Sequence, residues 1–514
     1  MKEKVTIMDT TLRDGEQMRN VSYSFEEKLS IARILLEEVK VHRIEIASAR
    51  VSEGERKGAK AVLDWAGKSG FLDQVEILGF TDSNQSVDWI AETGGRVLNL
   101  LAKGDLMHVE TQLRKTKENH ATDIEKTIRY AVDQNFICNI YLEAWSHGMI
   151  RSREYVYYIL DALKDLPITR VMLPDTLGIL SPSQTADFTE DMLSRYGDIG
   201  FDFHAHNDYG VAVANTLAAV EHGIRCVHTT VNGMGERAGN TPLDEVVIGI
   251  HDFLNMDTGV DETQLYHASR TVELYSSCRV AFNKPISGPN VFTQTAGIHA
   301  DGDMKGNLYA SDLLPERFNR ERQYALGKMS GKSSLDYNLE KMGIDLTSEQ
   351  KKTVLKRIIE LGDLKEAITE ADLPYIISDI LETPQEKMFE VISAVMVTNK
   401  GLKPVANVKI QYRASQKTEP KEMEAHAGGD GGYDAFMNAI KAIAKKIKFQ
   451  MPILDDYVVS IPPGGKTDAL VQCSITWKID GRRFITRGLN SDQALAAVEA
   501  TEKMLNLLML QKNG

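Results

Sequence analysis

Phe201-Asp202-Phe203-His204-Ala205-His206 alternates residue types and ends in two histidines two positions apart. The pattern predicts a strand, and strand residues i and i+2 leave the same face roughly 6.6 Å apart, so His204 and His206 can both reach one ion. Alone, such a pair is equally well read as two exposed strand histidines. Two further stretches shift the balance. Val5-Thr6-Ile7-Met8 is another apolar run, and Asp9-Thr10-Thr11-Leu12-Arg13-Asp14-Gly15-Glu16-Gln17 follows from it. Gly235-Glu236-Arg237-Ala238-Gly239-Asn240 follows a third run. A lone Arg13-Asp14 dipeptide is fairly read as a structural ion pair. With three polar strand ends supplying a carboxylate, two imidazoles and an amide oxygen, a site for a divalent cation becomes the better reading.

Working outward, short apolar runs alternate with longer helical patterns from residue 4 to about 255, the signature of parallel βα units. The runs are Val5 to Asp9, Arg43 to Ser48, Val75 to Phe80, Val97 to Leu101, Asn139 to Glu143, Arg170 to Pro174, Phe201 to His206 and Val227 to Asn232. Ser24-Phe25-Glu26-Glu27 is a capping-box pattern ahead of Leu29, Ile31, Ala32, Ile34 and Leu35, and Ser181-Pro182-Ser183 places proline near a helix start. Eight units in about 250 residues predict an α/β fold, a closed (β/α)8 TIM barrel, whose active sites gather where the strands end. Arg13 and Asp14 follow the first run, Glu143 ends the fifth, Thr176 follows the sixth, His204 and His206 end the seventh and Asn240 follows the eighth.

The chain has 514 residues, more than one core usually organises, so two or three domains are expected. A net charge of −13 without basic runs argues against nucleic-acid binding. No stretch approaches the roughly 18 apolar residues of a membrane span, and the first residues enter a strand without a signal-type apolar region, so a cytoplasmic protein is expected. Cys138, Cys226, Cys278 and Cys473 are widely spaced, and the first two open apolar strands as small buried thiols.

Past the barrel, 256–283 reads as a helical connector. The stretch 284–332, rich in Gly, Asn and Asp and containing Gly297-Ile298-His299-Ala300-Asp301-Gly302, reads as a surface loop or a lid, with His299 its catalytic candidate. Residues 333–384 read as helices ending near Pro384. From Met388 strands alternate with helices in a weak duplication: Phe389 to Val397 and Val405 to Tyr412 with helix Asp434 to Ile447, then Leu454 to Ile461 and Ala469 to Ile479 with helix Asp492 to Leu508. The expected division is a barrel with connector over 1–283, linker subdomains over 284–385, and an α+β domain over 386–514.

The Asp9–Gln17 stretch, His204-Ala205-His206-Asn207-Asp208 and Asn232 to Asn240, met in this order, resemble the acetyl-CoA-dependent 2-oxo-acid condensing enzymes: the 2-isopropylmalate, citramalate and homocitrate synthases. The resemblance runs from about residue 4 to the end. It implies an acyltransferase on a (β/α)8 barrel, a mostly helical linker completing the partner subunit's site, and a regulatory C-terminal domain binding a feedback amino acid, isoleucine or leucine. A domain-exchanged homodimer follows. Gly428-Gly429-Asp430-Gly431-Gly432-Tyr433-Asp434-Ala435 and Arg487-Gly488-Leu489-Asn490-Ser491-Asp492 resemble its effector loops.

Carried over by position, Asp14, His204 and His206 would bind the metal with Asn240 beside them, and a ligand set without thiolate suits Mg2+, Mn2+ or Zn2+. Arg13 would meet the developing alkoxide; His299, assisted by Glu143, would be the acid-base group, with Thr176, Asp301, Asn307 and Tyr309 lining the substrate sites. Ala205 stands where glycine is common in the family. Tyr141 occupies a place where isopropylmalate synthases tend to carry a small residue, and Leu78 and Leu101 flank it. Three bulky groups leave room for a methyl, and the neighbouring stretches resemble the citramalate synthases, so pyruvate is the preferred substrate and isoleucine the expected effector. The alternatives are a 2-isopropylmalate synthase using 2-oxoisovalerate and, further off, a metal-dependent lyase or aldolase, which would generally lack the duplicated C-terminal domain.

Overall fold

The structure is a computed structural model that describes residues 3–342, 344–363, 368, 372–380, 387–414, 418–460 and 471–513. Eight parallel strands close into a barrel in chain order: β1 (Thr6–Asp9), β2 (Arg43–Ser48), β3 (Val75–Phe80), β4 (Val97–Lys103), β5 (Ile137–Glu143), β6 (Arg170–Asp175), β7 (Gly200–Ala205) and β8 (Cys226–Thr229). The closure is β8 pairing back onto β1, from Thr6 opposite Cys226 to Asp9 opposite Thr229. β2 and β3 match the sequence reading residue for residue. β8 ends before the predicted Asn232, which lies in a tight turn with φ of 60°, and His206 lies one residue past β7.

Both helix starts read from sequence carry the expected reciprocal bonds. The Glu27 N–H donates to Ser24 Oγ while the Ser24 N–H donates to the Glu27 carboxylate, and Ser181 and Gln184 repeat the arrangement ahead of Pro182–Arg195. Outside the sheet, Ile7, Ile44, Ile46, Ile77, Leu98, Leu100, Ile140, Leu142, Phe201 and Phe203 pack with the surrounding helices into one apolar core. Each such side chain contributes roughly 1.5–3 kcal/mol by burial.

The alternate residues on those strands face the barrel axis, and many of them are polar or charged. Arg43, Glu45, Glu76, Asn99, Asn139, Asp202 and His228 are buried there. They bond across the barrel: Arg43 reaches Asp202 at 2.6 Å and Glu76 at 2.7 Å, and Asn99 donates to Glu45 at 2.7 Å and accepts from Asn139 at 2.9 Å. A closed barrel thus hides in its axis a polar layer that apolar outward faces disguise in the sequence.

The chain divides into two compact units, Met1–Phe292 with Ser311–Glu321, and Thr293–Ala310 with Arg322–Gly514. In the second, β9 (Thr293–Gln294) pairs with β10 (Gln323–Tyr324), and helices Lys332–Lys341, Ser348–Asp363 and Leu373–Ile380 enclose a small core of Leu335, Leu339, Val354, Ile358 and Leu373. The stretch expected to be loop or lid contains a helix, Gly297–Gly306, ended by Asn307 in a left-handed turn. It has no apolar stripe and no side-chain cap, so neither periodicity nor a start signal gave it away.

The C-terminal part is a duplication with one more strand per half than predicted. β11 (Phe389–Val397), β12 (Val405–Tyr412) and β13 (Lys421–Gly428) form one antiparallel sheet followed by helix Gly432–Lys446. β14 (Ile453–Ser460), β15 (Val471–Ile479) and β16 (Arg482–Asn490) form the other, followed by helix Gln493–Asn513. Both halves share one core, with Phe389, Ile410, Phe436, Ile440, Ile475, Trp477 and Met504 buried together. β13 escaped notice because Lys-Glu-Met-Glu-Ala-His lacks branched apolar residues. The predicted strand ends Ile461 and Ala469, and Pro384, lie outside the described residues.

Candidate metal centre and active site

Asp14, His204 and His206 meet at the end of the barrel where the strands finish, with one ligand atom from each within 4.8 Å of the others. Asp14 Oδ2 stands 3.4 Å from His204 Nε2 and 3.9 Å from His206 Nε2. All three are buried, and Asp14 Oδ1, Asn240 Oδ1 and both histidine Nδ1 atoms lack a hydrogen-bond partner among the described residues. Buried polar atoms rarely go unpaired, and a carboxylate and an amide oxygen left open beside two imidazoles fit a hard or borderline divalent cation. Burial pushes the His206 pKa down to about 4, against the pull of Asp14, so the ring is neutral and can donate a lone pair. Burial alone would raise Asp14, but Arg13 and the two histidines hold it well below the usual carboxylate range. Ala205 turns outward into the apolar core, so its methyl group stays clear of this cluster.

Asn240 reaches its place on a loop that glycine makes possible. At Gly235, φ is 150° and a Cβ would lie 2.2 Å from Asn240 Nδ2. At Gly239, with φ of 84°, it would lie 1.9 Å from the Gly233 carbonyl oxygen. Arg237, between them, bonds Asp208 at 2.8 and 3.0 Å and the Thr176 carbonyl at 2.7 Å, which fastens this loop to those after β6 and β7.

Arg13 is held on three sides. Its Nε bonds Glu45 at 2.5 Å, one terminal nitrogen meets Asp14 at 3.0 Å and the other donates to the Tyr141 hydroxyl at 3.4 Å. Tyr141 packs with Met8, Leu78 and Met172, and with Leu101 at the margin, in a small apolar cluster inside the barrel. It is more than an apolar wall: its hydroxyl also meets His228 Nδ1 at 3.1 Å. Glu143 pairs with the buried Lys103, and the Ala144 N–H beside it, where the backbone turns left-handed, donates to Thr176 Oγ1 at 2.9 Å.

In the second unit, His299 packs against Tyr309 with ring centres 4.3 Å apart and planes tilted by 33°, Asp301 pairs with Lys305 at 2.7 Å and accepts from Ser333, and Asn307 accepts from Arg322. A cavity of about 1050 Å³ opens in the C-terminal part, bordered by Gly431, Gly432, Tyr433, Asp434, Asp492 and Gln493. Both loops singled out in the sequence border it.

Sequence reasoning missed Glu45, Lys103, Asp202 and His228. Glu45, in Arg43-Ile44-Glu45-Ile46, was the legible one, because a charge inside an apolar strand of a closed barrel needs a buried partner. Asp202, Cys226 and His228 also cluster, but the Arg43 guanidinium bonds both Asp202 and Cys226 at 2.6 Å and supplies the positive charge there. Among the described residues no helix is long and apolar enough to cross a membrane.

Residues 4–272 match the HMGL-like family, residues 286–366 the homocitrate synthase post-HMGL domain-like family, and residues 367–509 the LeuA allosteric (dimerisation) domain. The putative (R)-citramalate synthase CimA of Methanopyrus kandleri is 33% identical over 515 residues, covering 100% of this chain and 98% of that protein. The (R)-citramalate synthase CimA of Methanocaldococcus jannaschii is 31% identical over 506 residues, covering 98% and 99%. The probable 2-isopropylmalate synthase of Methanopyrus kandleri is 33% identical over 520 residues, covering 99% of each chain. With full-length relatives of both kinds and a barrel end that gathers the same motifs, the chain belongs to the family of the (R)-citramalate and 2-isopropylmalate synthases.

Proposed function

We propose that the chain is a divalent-metal-dependent acyltransferase that condenses acetyl-CoA with pyruvate to citramalate and CoA. The observation that carries the reading is the convergence of Asp14, His204 and His206 beside Arg13, with Tyr141 and Leu78 packed immediately below. Asp14, His204, His206 and Asn240 would hold Mg2+, Mn2+ or Zn2+, which when bound supplies positive charge to the 2-oxo acid's carboxylate and keto oxygen. Arg13, pinned by Glu45, is preorganised to meet the alkoxide that develops on the keto oxygen, so it contributes more to the transition state than to binding. A base takes a methyl proton from acetyl-CoA, the new carbanion bonds to the keto carbon, and the keto oxygen receives the electron pair and then a proton. Water then cleaves the thioester and releases CoA. His299 of the partner subunit, assisted by Glu143, is our candidate for the acid-base group, with Thr176, Asp301, Asn307 and Tyr309 shaping its surroundings.

The wider reading is a cytoplasmic, domain-exchanged homodimer in three functional parts, 1–283, 284–385 and 386–514. The C-terminal cavity takes isoleucine as feedback effector, in keeping with citramalate as an isoleucine precursor. Calorimetric titration checks this: isoleucine is expected to bind and slow thiol release more than leucine at equal concentration, and leucine preference points to the leucine branch instead.

Thiol release from acetyl-CoA with Mg2+ or Mn2+ decides the substrate. The rate is expected to fall in the order pyruvate, 2-oxobutanoate, 2-oxoisovalerate, with roughly 10- to 200-fold in kcat/KM per added methylene. A faster rate with 2-oxoisovalerate overturns the pocket argument and makes the chain an isopropylmalate synthase.

A further inference from the structure

His228 lies on β8 inside the barrel, its ring edge-on to that of His204 with centres 5.4 Å apart, and hydrogen bonds occupy both of its ring nitrogens. Nε2 meets Asp202 Oδ2 at 3.2 Å and Nδ1 meets the Tyr141 hydroxyl at 3.1 Å. Asp202 is bonded by Arg43 at 2.6 Å and approached by Arg170 at 3.5 Å, so it is an ionised acceptor and the shared proton belongs to Nε2. Arg43 already balances the Asp202 charge in this buried layer, so the enclosed ring carries one proton. Nδ1 is therefore a lone-pair acceptor, and the single hydroxyl proton of Tyr141 goes to it.

That assignment has a consequence at Arg13. Glu45 Oε2 lies 3.4 Å from the Tyr141 oxygen and competes for the same proton, while Arg13 Nε uses that carboxylate oxygen at 2.5 Å. With the proton committed to His228, Tyr141 keeps its lone pairs for the Arg13 nitrogen 3.4 Å away, and Glu45 stays with Arg13. The Tyr141 ring, edge-on to His228 with centres 5.6 Å apart and to His204 at 6.1 Å, is then fixed in tilt against Met8, Leu78 and Met172.

We infer that His228 is a positioning residue for substrate selection: it anchors the Tyr141 hydroxyl, and through it the ring that limits the 2-oxo acid's side chain. The inference rests on reading this pocket as the 2-oxo acid site. Without the anchor the hydroxyl turns to Glu45 and the ring gains freedom, so the pocket accepts a larger side chain and discriminates less.

The test is a double-mutant cycle on the full-length chain with added Mn2+, reading the ratio of kcat/KM for pyruvate to that for 2-oxobutanoate. Tyr141→Phe and His228→Leu are each expected to lower the ratio by roughly fivefold, the double variant no further, and His228→Gln, which keeps an acceptor and a donor, is expected to retain most of it. The KM for acetyl-CoA is expected to stay put in all four. Two effects that multiply, or a ratio unmoved by His228→Leu, overturn the inference. If the wild-type chain releases no thiol with any 2-oxo acid, the functional reading itself is wrong. If His228→Leu does not fold, 15N shifts of histidine-labelled wild-type protein decide: Nε2–H with an accepting Nδ1 at His228 supports the anchor, and a charged ring or the opposite tautomer refutes it.

Discussion

Asp14→Asn is expected to lower kcat/KM for thiol release by about 10³-fold and to leave the dialysed protein without stoichiometric divalent metal, while the thermal midpoint of the barrel stays within a few degrees. The substitution keeps the shape of the side chain and removes its charge. Among the described residues Asp14 supplies the carboxylate of the cluster, and its open Oδ1 and its Oδ2, which faces both histidines, make it the anionic member of the donor set. An amide oxygen in its place leaves the set neutral, and a neutral set binds a divalent cation far more weakly. Folding is spared because no charge is orphaned. Arg13 keeps its 2.5 Å bond to Glu45, and the buried His206, already pushed down to about 4, becomes harder to protonate once the neighbouring carboxylate is gone. Metal content is read by elemental analysis, activity by thiol release, and stability by calorimetry on the same preparation. Retention of more than a tenth of the activity together with full metal content would refute the assignment of Asp14.

The residues that made the site legible were those at strand ends. Arg13, Asp14, His204 and His206 are polar where the apolar pattern stops, so a chain read as βα units projects them to one end of the barrel. Residues buried along the axis were a different matter. Glu45, Glu76 and Asp202 sit inside runs whose neighbours are Ile, Val and Phe, and a strand with one outward apolar face reads as buried whatever its other face carries. Tyr141 shows the limit from the other side. The sequence reading makes its bulk a wall of the proposed pocket, but the partners of its hydroxyl are on β2, on β8 and in the loop after β1, far off in sequence, and only closure of the barrel brings them together. Helix Gly297–Gly306 was illegible for a local reason: a segment with three glycines and no apolar stripe carries no helical signal, and its structure is imposed by tertiary packing.

Arg43→Met tests that axial layer and should destabilise the barrel far more than Asp14→Asn does. Arg43 bonds Glu76 at 2.7 Å, Asp202 at 2.6 Å and Cys226 at 2.6 Å, all buried. Removing a buried charge costs more than the pair itself is worth, because its partners remain buried and uncompensated; roughly 3–5 kcal/mol is typical. Arg170, 3.2 Å from Glu76, offsets part of this, so about 3 kcal/mol is expected, a fall of roughly 10 °C in the midpoint of the barrel transition. The pH dependence separates this cause from a packing defect. In the wild-type chain burial tends to raise the Asp202 pKa, but Arg43, the His228 bond and Arg170 overcome it, and the group titrates below its ordinary value. A depressed carboxylate contributes stability that is fully present above its unfolded pKa of about 3.9 and is lost only as pH falls through the folded value, so at pH 4.5 the wild-type chain still keeps most of this contribution. In Arg43→Met the burial effect prevails, the folded pKa of Asp202 rises above the unfolded one, and protonation relieves the buried charge. The gap between the two midpoints should therefore narrow from pH 7 to pH 4.5. A methionine that merely packs badly gives a gap independent of pH, and calorimetry at the two pH values distinguishes these outcomes.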